Sequence, residues 1–510
     1  MLAKVACGAV IGIDGVLMDV EVDIARGLPA FTTVGLPETS VRESRERVKA
    51  SIANSGYDFP PDRITVNLAP AHIRKEGTGF DLPIALGILC ATGIIDISSL
   101  CRFVVMGELA LDGRVKPVVG ALSMAISAKK AGFNGILVPA GNRREASVVN
   151  GLPVYAVDTL SSAVEFLGGR RKIAPESYAA EDAFGEADEI DGDFSEVAGQ
   201  ENVKRALEIA AAGGHNLIMM GPPGAGKTML ARRFAGIIPS LTFEEAIETT
   251  RIYSVAGLLK KDLALVTIRP FRSPHHTISD VGLIGGGHVP QPGEVSLAHN
   301  GVLFLDELPE FKKSALEVLR QPMEDRFVTI SRAMTSITYP SDFVLIAAAN
   351  PCPCGYLSDP THECRCSAVQ VQRYKNRISG PLLDRIDLHV DVPAVAYKDL
   401  AATSTAEPSA VIRKRVIGAR QIQAQRFART RIRNNAAMTS GHIRKYCVLN
   451  AQTSLILENA VERLGFSARA YHRVLKIART IADLAGNGDI KKAHLAEAIG
   501  YRTLDRKAWG

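Results

Sequence analysis

The chain has 510 residues, of which 46% are hydrophobic and 22% are charged, and its formal net charge at pH 7 is +6. A chain of this size and apolar content can bury several cores, so we expect two to four domains. No stretch of eighteen uncharged apolar residues occurs, which argues against a membrane span. The first residues lack the layout of a signal peptide. We therefore expect a cytoplasmic protein without membrane partners.

The first third of the chain predicts a mixed α/β domain. Apolar alternation indicates strands at residues 16–24, 64–68 and 135–139. Helical periodicity indicates helices at residues 82–92 and 122–131. A glycine pair then marks the domain boundary.

Two segments of this domain resemble the proteolytic domain of Lon proteases. In that family a serine nucleophile and a lysine base perform acyl transfer. The serine would fall at Gly79 and the lysine near Ser123, so neither group is present, and Thr78 with Lys75 is a poorly aligned substitute pair. The resemblance implies a degenerate domain without peptidase activity, either a DNA-contacting platform or an oligomeric scaffold. The matching segments are residues 74–86 and 107–118.

A glycine-rich loop lies between the apolar run at residues 216–220 and a helix-compatible stretch at 229–235. In a P-loop, backbone N–H groups surround a phosphate chain and the helix N-terminus adds a favourable dipole. Lys227 would reach the β- and γ-phosphates, and the Thr228 hydroxyl would bind Mg²⁺. The strand before and the helix after favour a P-loop over an ordinary glycine turn, so ATP and Mg²⁺ are the expected cofactors. The loop consists of Gly221, Pro222, Pro223, Gly224, Ala225, Gly226, Lys227 and Thr228.

Two adjacent carboxylates follow the apolar run at residues 302–305. Asp306 would anchor the Mg²⁺, and Glu307 would orient and polarise the attacking water. Alone, such a pair is typical of a solvated turn. Downstream of a P-loop, it predicts the Walker B motif of an ATPase.

Two further strands are predicted at residues 343–349 and 388–392. Asn350 follows the first of them, and Arg385 precedes the second. This order of motifs resembles the magnesium-chelatase-like branch of the AAA+ superfamily of ring ATPases. The resemblance implies that Asn350 is the polar sensor and that Arg385 is an arginine finger acting in a neighbouring subunit's active site. The alternative for Arg385 is a salt bridge to an aspartate beside it.

In related ring motors, an insertion between the P-loop helix and the Walker B strand faces the central pore, and this chain has a second candidate pore element further on. Here residues 269–300 contain Arg272, a glycine run and His276 with its neighbouring histidine, for which a metal site is the alternative. Residues 326–339 predict a hairpin with Arg332 at its turn. We expect both arginines to contact DNA phosphates without reading sequence. The alternative for the hairpin is packing against an adjacent subunit.

Four of the eight cysteines lie in one short span after the sensor asparagine. Four thiolates suit a tetrahedral Zn²⁺ ion in a closed, structural site. A reducing cytosol disfavours disulfides, and unligated thiols are the other alternative. We expect zinc to stiffen this loop. The cluster consists of Cys352, Cys354, Cys364 and Cys366.

The remainder of the chain is helical by periodicity and resembles the lid of an AAA+ module. The resemblance implies that Arg469 is the second sensor arginine, with Arg473 as its rival. Residues 411–433 contain eight cations and no carboxylate, which favours phosphate contact by residues such as Arg413 and Arg415 as much as a solvated helix face. The predicted helices cover residues 409–429, 440–448, 454–464, 468–484 and 490–499.

Longer stretches, at residues 35–45, 193–200, 271–276 and 350–355, resemble the ComM/YifB family of magnesium-chelatase-like bacterial proteins. The resemblance covers nearly the whole chain. It implies a homo-hexameric, ATP-driven DNA motor, with helicase activity, that promotes branch migration in homologous recombination of incoming DNA, as in natural transformation. Other recombination proteins would be its partners. The alternatives are a chelatase-type motor and an ATP-dependent protein remodeller.

The predicted fold class is α/β, with three domains. Residues 1–168 form a Lon-protease-like α+β domain, similar to ribosomal S5 domain 2, and residues 169–195 form an acidic linker. Residues 196–396 form the AAA+ P-loop core, and residues 397–510 form the helical lid.

Overall fold

The computed structural model describes residues 2–509 except 76, 179–191, 261–262, 288, 332–335, 358, 360–361, 395–405 and 431, with side chains as far as 502. The chain forms two compact units. The first unit consists of Met1–Ala187 and Thr242–Thr267, and the second consists of Asp188–Leu241 and Ile268–Gly510. Residues 179–191 of the predicted linker, and the boundary between core and lid, lie outside the described residues.

The first unit is built on a seven-stranded mixed sheet with the order β3-β4-β2-β1-β5-β8-β9. β1 and β2 pair antiparallel, whereas β5, β8 and β9 pair in parallel. The helix Asp81–Ala91 is buried along its whole length, because it is apolar on all sides after Asp81, and Asp81 itself pairs with Arg47. The strands are β1 Leu2–Ile11, β2 Asp14–Ala25, β3 Ala30–Val34, β4 Arg63–Ala69, β5 Phe103–Val105, β6 Glu108–Leu109, β7 Val115–Lys116, β8 Gly135–Pro139 and β9 Val154–Val157.

One helix of the first unit comes from a later segment of the sequence, Thr242–Thr267. Phe243–Val255 begins with a capping box between Thr242 and Glu245, which satisfies its first N–H groups. The sequence pattern placed this segment in the AAA+ core and predicted no helix there. The other helices are Thr39–Arg42, Ser44–Asn54, Asp81–Ala91, Ile97–Leu100, Ala121–Lys130, Arg143–Ser147 and Leu160–Leu167, with a 3₁₀ turn at Ala140–Asn142.

The five elements predicted for the first unit agree closely with the observed ones, but others were not predicted, among them β1, β3, β9 and the helices Ser44–Asn54 and Leu160–Leu167. The buried positions of β1 are Ala3, Val5 and Cys7. Val5 favours a strand, but alanine is depleted in strands, so the alternation gives only a weak signal.

The second unit is built on a five-stranded parallel sheet with the order β11-β14-β17-β10-β18. The residues of β10 and β14 are all buried. Strands covered on both faces appear in the sequence as continuous apolar runs, which explains their correct prediction. The strands are β10 Leu217–Met220, β11 Phe271–Arg272, β12 Gly285–Gly286, β13 Gln291–Pro292, β14 Val302–Leu305, β15 Phe327–Ser331, β16 Ser336–Pro340, β17 Val344–Ala349 and β18 Leu388–Asp391.

Helices from both the predicted core and the predicted lid share one hydrophobic cluster in the second unit. Leu207 and Phe234 from the core pack in the same cluster as Val416 and Leu475 from the lid. The helices are Glu201–Gly213, Lys227–Ile237, Asp280–Ile284, Glu294–Leu297, Lys313–Val318, Arg320–Asp325, Ala368–Lys375, Gly380–Leu383, Ser409–Phe427, Ser440–Tyr446, Ala451–Leu464, Ala468–Leu484 and Lys492–Trp509, with 3₁₀ turns at Phe194–Glu196, Leu308–Glu310 and Asn435–Ala437. Among the helices described, none is long and apolar enough to cross a membrane.

Candidate nucleotide-binding site

The loops after three neighbouring strands carry the predicted catalytic side chains. The P-loop follows β10, Asp306 follows β14, and Asn350 follows β17. These strands are parallel and adjacent in the sheet. Their carboxyl ends therefore meet at one edge, where open α/β sheets bind their ligands.

Glycines shape the P-loop at three positions. Gly224 and Gly226 have φ angles of 77° and 82°, in the left-handed region that glycine tolerates best. At Gly221 a Cβ would lie 2.1 Å from the carbonyl oxygen of Val392. Gly226 directly precedes the helix Lys227–Ile237. The first N–H groups of that helix have no intrahelical acceptor, so they suit an anion.

The side chain of Lys227 lies inside the P-loop. Its Nζ donates to the carbonyl oxygens of Gly221 and Pro222, both at 2.8 Å, and to Oδ1 of Asn350 at 3.1 Å. Burial lowers the pKa of Lys227, although the nearby Asp306 carboxylate opposes this shift. The structure thus brings the P-loop lysine and the predicted sensor together, while the sensor role stays a prediction.

Thr228 and Asp306 form the predicted magnesium site. Oγ1 of Thr228 donates to Oδ2 of Asp306 at 2.6 Å, and Oδ1 of Asp306 accepts the N–H of Glu307 at 2.9 Å. Hydroxyl and carboxylate oxygens are hard donors that suit Mg²⁺, which keeps several waters and substrate phosphates as its other ligands. The residues present therefore fit Mg²⁺ bound together with ATP.

Glu307 has an uncommon backbone conformation, with a φ of 52°. Its Oε2 lies 3.4 Å from Nδ1 of His276. His276 follows β11, whose parallel pairing with β14 brings the two side chains together. This contact was not predicted from the sequence, because strand pairing between distant segments has no local signal.

Arg385 lies at the opposite end of the sheet from the P-loop. The N–H of Asp387 donates to the carbonyl oxygen of Asn216, the residue before β10, at 3.0 Å. β10 has four residues and so separates Asn216 from the P-loop by about 13 Å. Nη2 of Arg385 pairs with Oε1 of Glu324 at 2.7 Å. The guanidinium is therefore held by Glu324.

Arg473 is part of a buried ion pair with Asp387 and donates to the carbonyl oxygen of Arg385 at 2.9 Å. Burial raises the pKa of Asp387, but Arg473, His215 and Lys476 together outweigh this effect and hold that pKa well below its usual value. Asp384 pairs with Arg502 instead. The alternative hypothesis of a salt bridge between Arg385 and an adjacent aspartate is therefore wrong.

Arg469 differs from its rival in exposure and partner. Its side chain is 58% exposed, and its Nη2 lies 4.0 Å from Oε1 of Glu324, the same oxygen that Arg385 contacts. Arg473 instead forms an ion pair with the buried Asp387. The geometry favours Arg469 over Arg473 as the lid sensor, and this role stays a prediction.

Two of the four predicted DNA contacts are held by carboxylates. Arg272 forms a bidentate pair with Glu294, at 2.6 and 2.7 Å. Arg415 pairs with Glu407 at 2.5 and 2.7 Å and with Glu208 at 2.5 Å. The expectation that the basic stretch has no acidic compensation is therefore wrong for Arg415, because Glu407 lies just before the stretch and Glu208 comes from a distant part of the chain.

The other two candidates are Arg413, which donates to a serine hydroxyl at 2.6 Å, and Arg332, which lies outside the described residues.

A cavity of about 480 Å³ lies at the end of the basic stretch and has Arg429 and Lys445 in its wall. The Nζ of Lys445 lies 5.1 Å from the centre of the Tyr446 ring. A cationic cavity with an aromatic wall suits a nucleic-acid phosphate and its base.

The four clustered cysteines converge. Their sulfur atoms all lie within 4.8 Å of one another. The Sγ of Cys352 lies 3.3 Å from that of Cys354 and 3.7 Å from that of Cys364, with Cys366 completing the group. The backbone N–H of Tyr356 lowers the pKa of Cys354 to about 6, and burial raises the pKa of Cys352 to about 12.

In the first unit, the residues near the positions of the Lon serine and lysine are hydrogen-bonded to other groups. Ser123 donates to a backbone carbonyl oxygen at 2.6 Å and accepts from Nε of Arg251 at 3.3 Å. The Thr78 hydroxyl donates to the Glu108 carboxylate, and the Nζ of Lys75 donates to the backbone carbonyl oxygen of Pro70. Thr78 and Lys75 are thus bound to separate partners and do not form a nucleophile–base pair here.

Comparison with known proteins gives matches along almost the entire chain. Three family profiles match in succession: subunit ChlI of Mg-chelatase at residues 20–142, magnesium chelatase subunit ChlI at 193–400, and its C-terminal part at 406–502. The competence protein ComM of Haemophilus influenzae is 45% identical over 509 residues, 99% of this chain and 98% of that protein. The uncharacterized protein YifB of Escherichia coli is 45% identical over the same shares of both chains. Lon protease 2 of Bacillus subtilis is 31% identical over 28% of this chain and 27% of its own length.

The parallel sheet, the P-loop and the Asp306–Thr228 pair define a magnesium-chelatase-like AAA+ protein, an ATPase-type nucleotide-binding protein. Within this class, the chain belongs to the ComM/YifB family. The predicted fold class, α/β with a Lon-like N-terminal part and an AAA+ core, is confirmed.

Proposed function

We propose that this protein is an ATP-driven, homo-hexameric DNA motor that promotes branch migration during homologous recombination of incoming DNA. One observation carries the proposal: an assembled P-loop and Walker B site occurs in a chain that is 45% identical to a competence protein along nearly its full length. The cytoplasm is the compartment in which such a motor would meet ATP and incoming DNA. Other recombination proteins would be its partners there.

The chain's own residues supply binding, orientation and proton transfer. Lys227 holds the β- and γ-phosphates, and Thr228 with Asp306 holds Mg²⁺, which neutralises charge on the phosphates when bound. Glu307 orients the attacking water and takes its proton, a role that contributes about 10²–10⁴-fold to the rate in enzymes generally. Asn350 fixes Lys227 through the 3.1 Å contact and completes the polar site.

The position of Arg385 supports hydrolysis across a subunit boundary. Its backbone lies at the amino end of the sheet, about 13 Å of strand away from its own P-loop. Arg469 reaches the same Glu324 carboxylate. We therefore assign both arginines to the nucleotide of a neighbouring subunit, with Glu324 holding them before assembly. An arginine supplied in this way contributes about 10³–10⁵-fold to catalysis in related phosphoryl transfers.

DNA contact is assigned to the cations that remain accessible. Arg429, Lys445 and Arg413 lie along or beside the basic stretch, and two of them border the cavity with Tyr446. Arg272 and Arg415 have carboxylate partners, which must be displaced before they can contact phosphate. Phosphate contacts of this kind hold DNA without reading its sequence.

The test is steady-state ATP hydrolysis by the full chain with no polymer, with single-stranded DNA, with a four-way junction and with an unfolded protein. A strand-exchange assay on the junction runs in parallel, with Glu307→Gln as the hydrolysis-deficient control. We expect stimulation by DNA and ATP-dependent movement of the junction. Stimulation by the unfolded protein alone would replace the proposal with a protein remodeller, and indifference to both polymers would favour a chelatase-type motor.

A further inference from the structure

The four cysteines that follow Asn350 have the spacing of a metal site. The sulfur–sulfur distances among Cys352, Cys354 and Cys364 are 3.3, 3.7 and 3.6 Å. Tetrahedral zinc with Zn–S bonds of about 2.3 Å places its sulfur ligands about 3.8 Å apart. Cys366 lies within the same 4.8 Å limit, so one ion can reach all four sulfurs with small adjustments.

The distances exclude the other ordinary use of paired cysteines. A disulfide requires an S–S separation of about 2.05 Å, and all eight cysteines of the chain are free thiols. Backbone N–H groups of Tyr356 and Arg365 donate to the Sγ of Cys354, and that of Leu357 donates to the Sγ of Cys352. Donors of this kind stabilise thiolates and are the outer contacts that orient metal ligands.

We propose that one zinc ion is bound as a closed tetrathiolate by Cys352, Cys354, Cys364 and Cys366. We further propose that the loop carrying these four cysteines, called the metal loop, supports the P-loop from outside the nucleotide site. A site with four protein ligands has no open position for substrate, so its role is structural. A soft, all-sulfur ligand set favours zinc or iron over Mg²⁺. The two metal sites of the protein are therefore chemically distinct.

The support for the P-loop comes from Gly355, which directly follows the first cysteine pair. Its φ is 85°, and a Cβ at this position would lie 2.5 Å from Cδ of Pro223. The N–H of Gly355 donates to the carbonyl oxygen of Cys352 at 3.0 Å, which ties this turn to the metal loop. Asn350, two residues before Cys352, contacts Lys227. The loop thus meets the nucleotide site at two points.

The far end of the metal loop leads to the segment after Walker B. Cys366 is followed by Ser367, which caps the helix Ala368–Lys375 through a capping box. Beyond that helix, Nη1 of Arg377 donates to Oε2 of Glu310 at 2.6 Å. A fixed metal loop therefore holds the chain on both sides of the active site.

The first experiment measures metal content by elemental analysis of the full chain purified without chelators. We expect about one zinc per chain, the stoichiometry of a closed four-ligand site. Cys352→Ser and Cys364→Ser should lose most of it, and Cys101→Ser, an exposed cysteine outside the cluster, should keep it. Cobalt substitution should give the thiolate charge-transfer and ligand-field bands of tetrahedral Co²⁺. Metal-free wild type that also fails to bind zinc or cobalt would overturn the metal site, and stoichiometric iron would replace zinc by iron.

A second measurement on the wild-type chain covers the case in which the cysteine variants fail to fold. Titration with a mercurial thiol reagent, with a chromogenic zinc indicator present, should release one zinc as the four cluster thiols react, after the exposed Cys101 has been modified. Zinc release unrelated to thiol modification would contradict the assignment. Neither measurement depends on ATP or DNA, so a failure of the proposed function leaves this result intact.

Support for the P-loop is tested with Gly355→Ala. We expect it to keep its zinc but to bind ATP about tenfold more weakly. The added Cβ would clash with Pro223, and alanine is strained in the left-handed backbone conformation of this position, so the P-loop should shift. Gly486→Ala is the matched control, because Gly486 has a φ of 65° and a Cβ added there would have no atom within 4 Å. Equal ATP affinity of both variants and the wild type would overturn the supporting role while leaving the metal site standing.

Discussion

The Nζ of Lys227 lies 3.1 Å from Oδ1 of Asn350, although 123 positions separate the two residues in sequence. The contact joins the P-loop to the loop after β17 across adjacent parallel strands. A lysine held by three oxygen acceptors is already oriented before phosphate arrives. This orientation reduces the entropy that nucleotide binding must overcome.

Lys227→Ala is expected to abolish ATP binding, since it removes the only side-chain cation that the structure describes inside the P-loop. Nucleotide affinity can be measured by titration with a fluorescent ATP analogue. Lys492→Ala, an exposed lysine of the lid, serves as the control and should bind normally. Unchanged affinity of Lys227→Ala would remove this lysine from the phosphate site.

Glu307→Gln is expected to keep ATP binding and to lower turnover by about 10²–10⁴-fold, because the amide cannot accept the proton of the attacking water. Affinity and single-turnover hydrolysis should be measured on the same preparation. The substitution keeps the size of the side chain and so preserves the contact region of His276. Normal turnover would show that another group activates water.

Arg385→Ala is expected to bind ATP but to hydrolyse it poorly, because the finger is missing from the neighbouring site. A mixture of Arg385→Ala and Lys227→Ala chains gives a sharper result. Some subunit contacts in such a mixture pair an intact P-loop with an intact finger, so part of the activity should return. Full activity of Arg385→Ala alone, or of isolated monomers, would contradict action between subunits.

Arg469→Ala and Arg473→Ala should differ in stability. Loss of Arg473 leaves the buried Asp387 without its main cation, and breaking such a pair costs about 3–5 kcal/mol. Arg469 is largely exposed, so its loss should change stability by less than about 0.5 kcal/mol while lowering ATP turnover. Urea unfolding of both variants separates the two outcomes. Equal destabilisation would show that Arg469 also has a structural role.

The same ion pair predicts a pH dependence. The folded-state pKa of Asp387 is depressed, so its contribution is complete above the unfolded value of about 3.9 and is lost as pH falls towards the folded value. Wild-type stability should therefore fall below about pH 4, and Arg473→Ala should show a smaller loss over that window. Parallel pH slopes for both proteins would rule out this pair as the cause.

Arg429→Gln and Lys445→Gln are expected to weaken DNA binding equally for all sequences, because phosphate contacts carry no sequence information. Each substitution should reduce the slope of log K against log salt by about 1. Lys492→Gln controls for the loss of one positive charge elsewhere in the lid. An unchanged slope in both variants would place the DNA contact outside this cavity.

Local patterns were sufficient to predict much of the nucleotide site. The glycines of the P-loop, the apolar run before Asp306 and the cysteine pairs are contiguous in sequence, and each has a direct physical reason for its spacing. The lid helix Ala468–Leu484 was predicted to the residue, because its amphipathic periodicity is strong and Ser467 caps it. Buried parallel strands are also recognisable as apolar runs.

Contacts between distant segments could not be predicted in this way. The basic stretch contains no carboxylate, yet Arg415 pairs with Glu208, which is 207 positions away in sequence and lies beside it only in the folded chain. His276 comes beside Glu307 through the pairing of β11 with β14. The helix Phe243–Val255 lies in the segment Thr242–Thr267, which belongs to the first unit although the chain on both sides of that segment belongs to the second.

The sequence alone determined that this protein has a P-loop, a Walker B pair, a four-cysteine cluster and a helical lid, because each depends on residues close together along the chain. Only the tertiary structure decided that Arg385 and Arg469 lie beside the same carboxylate, that of Glu324, and that Gly355 lies against Pro223. Strand order and helix packing set these distances, and they depend on contacts among residues far apart in sequence.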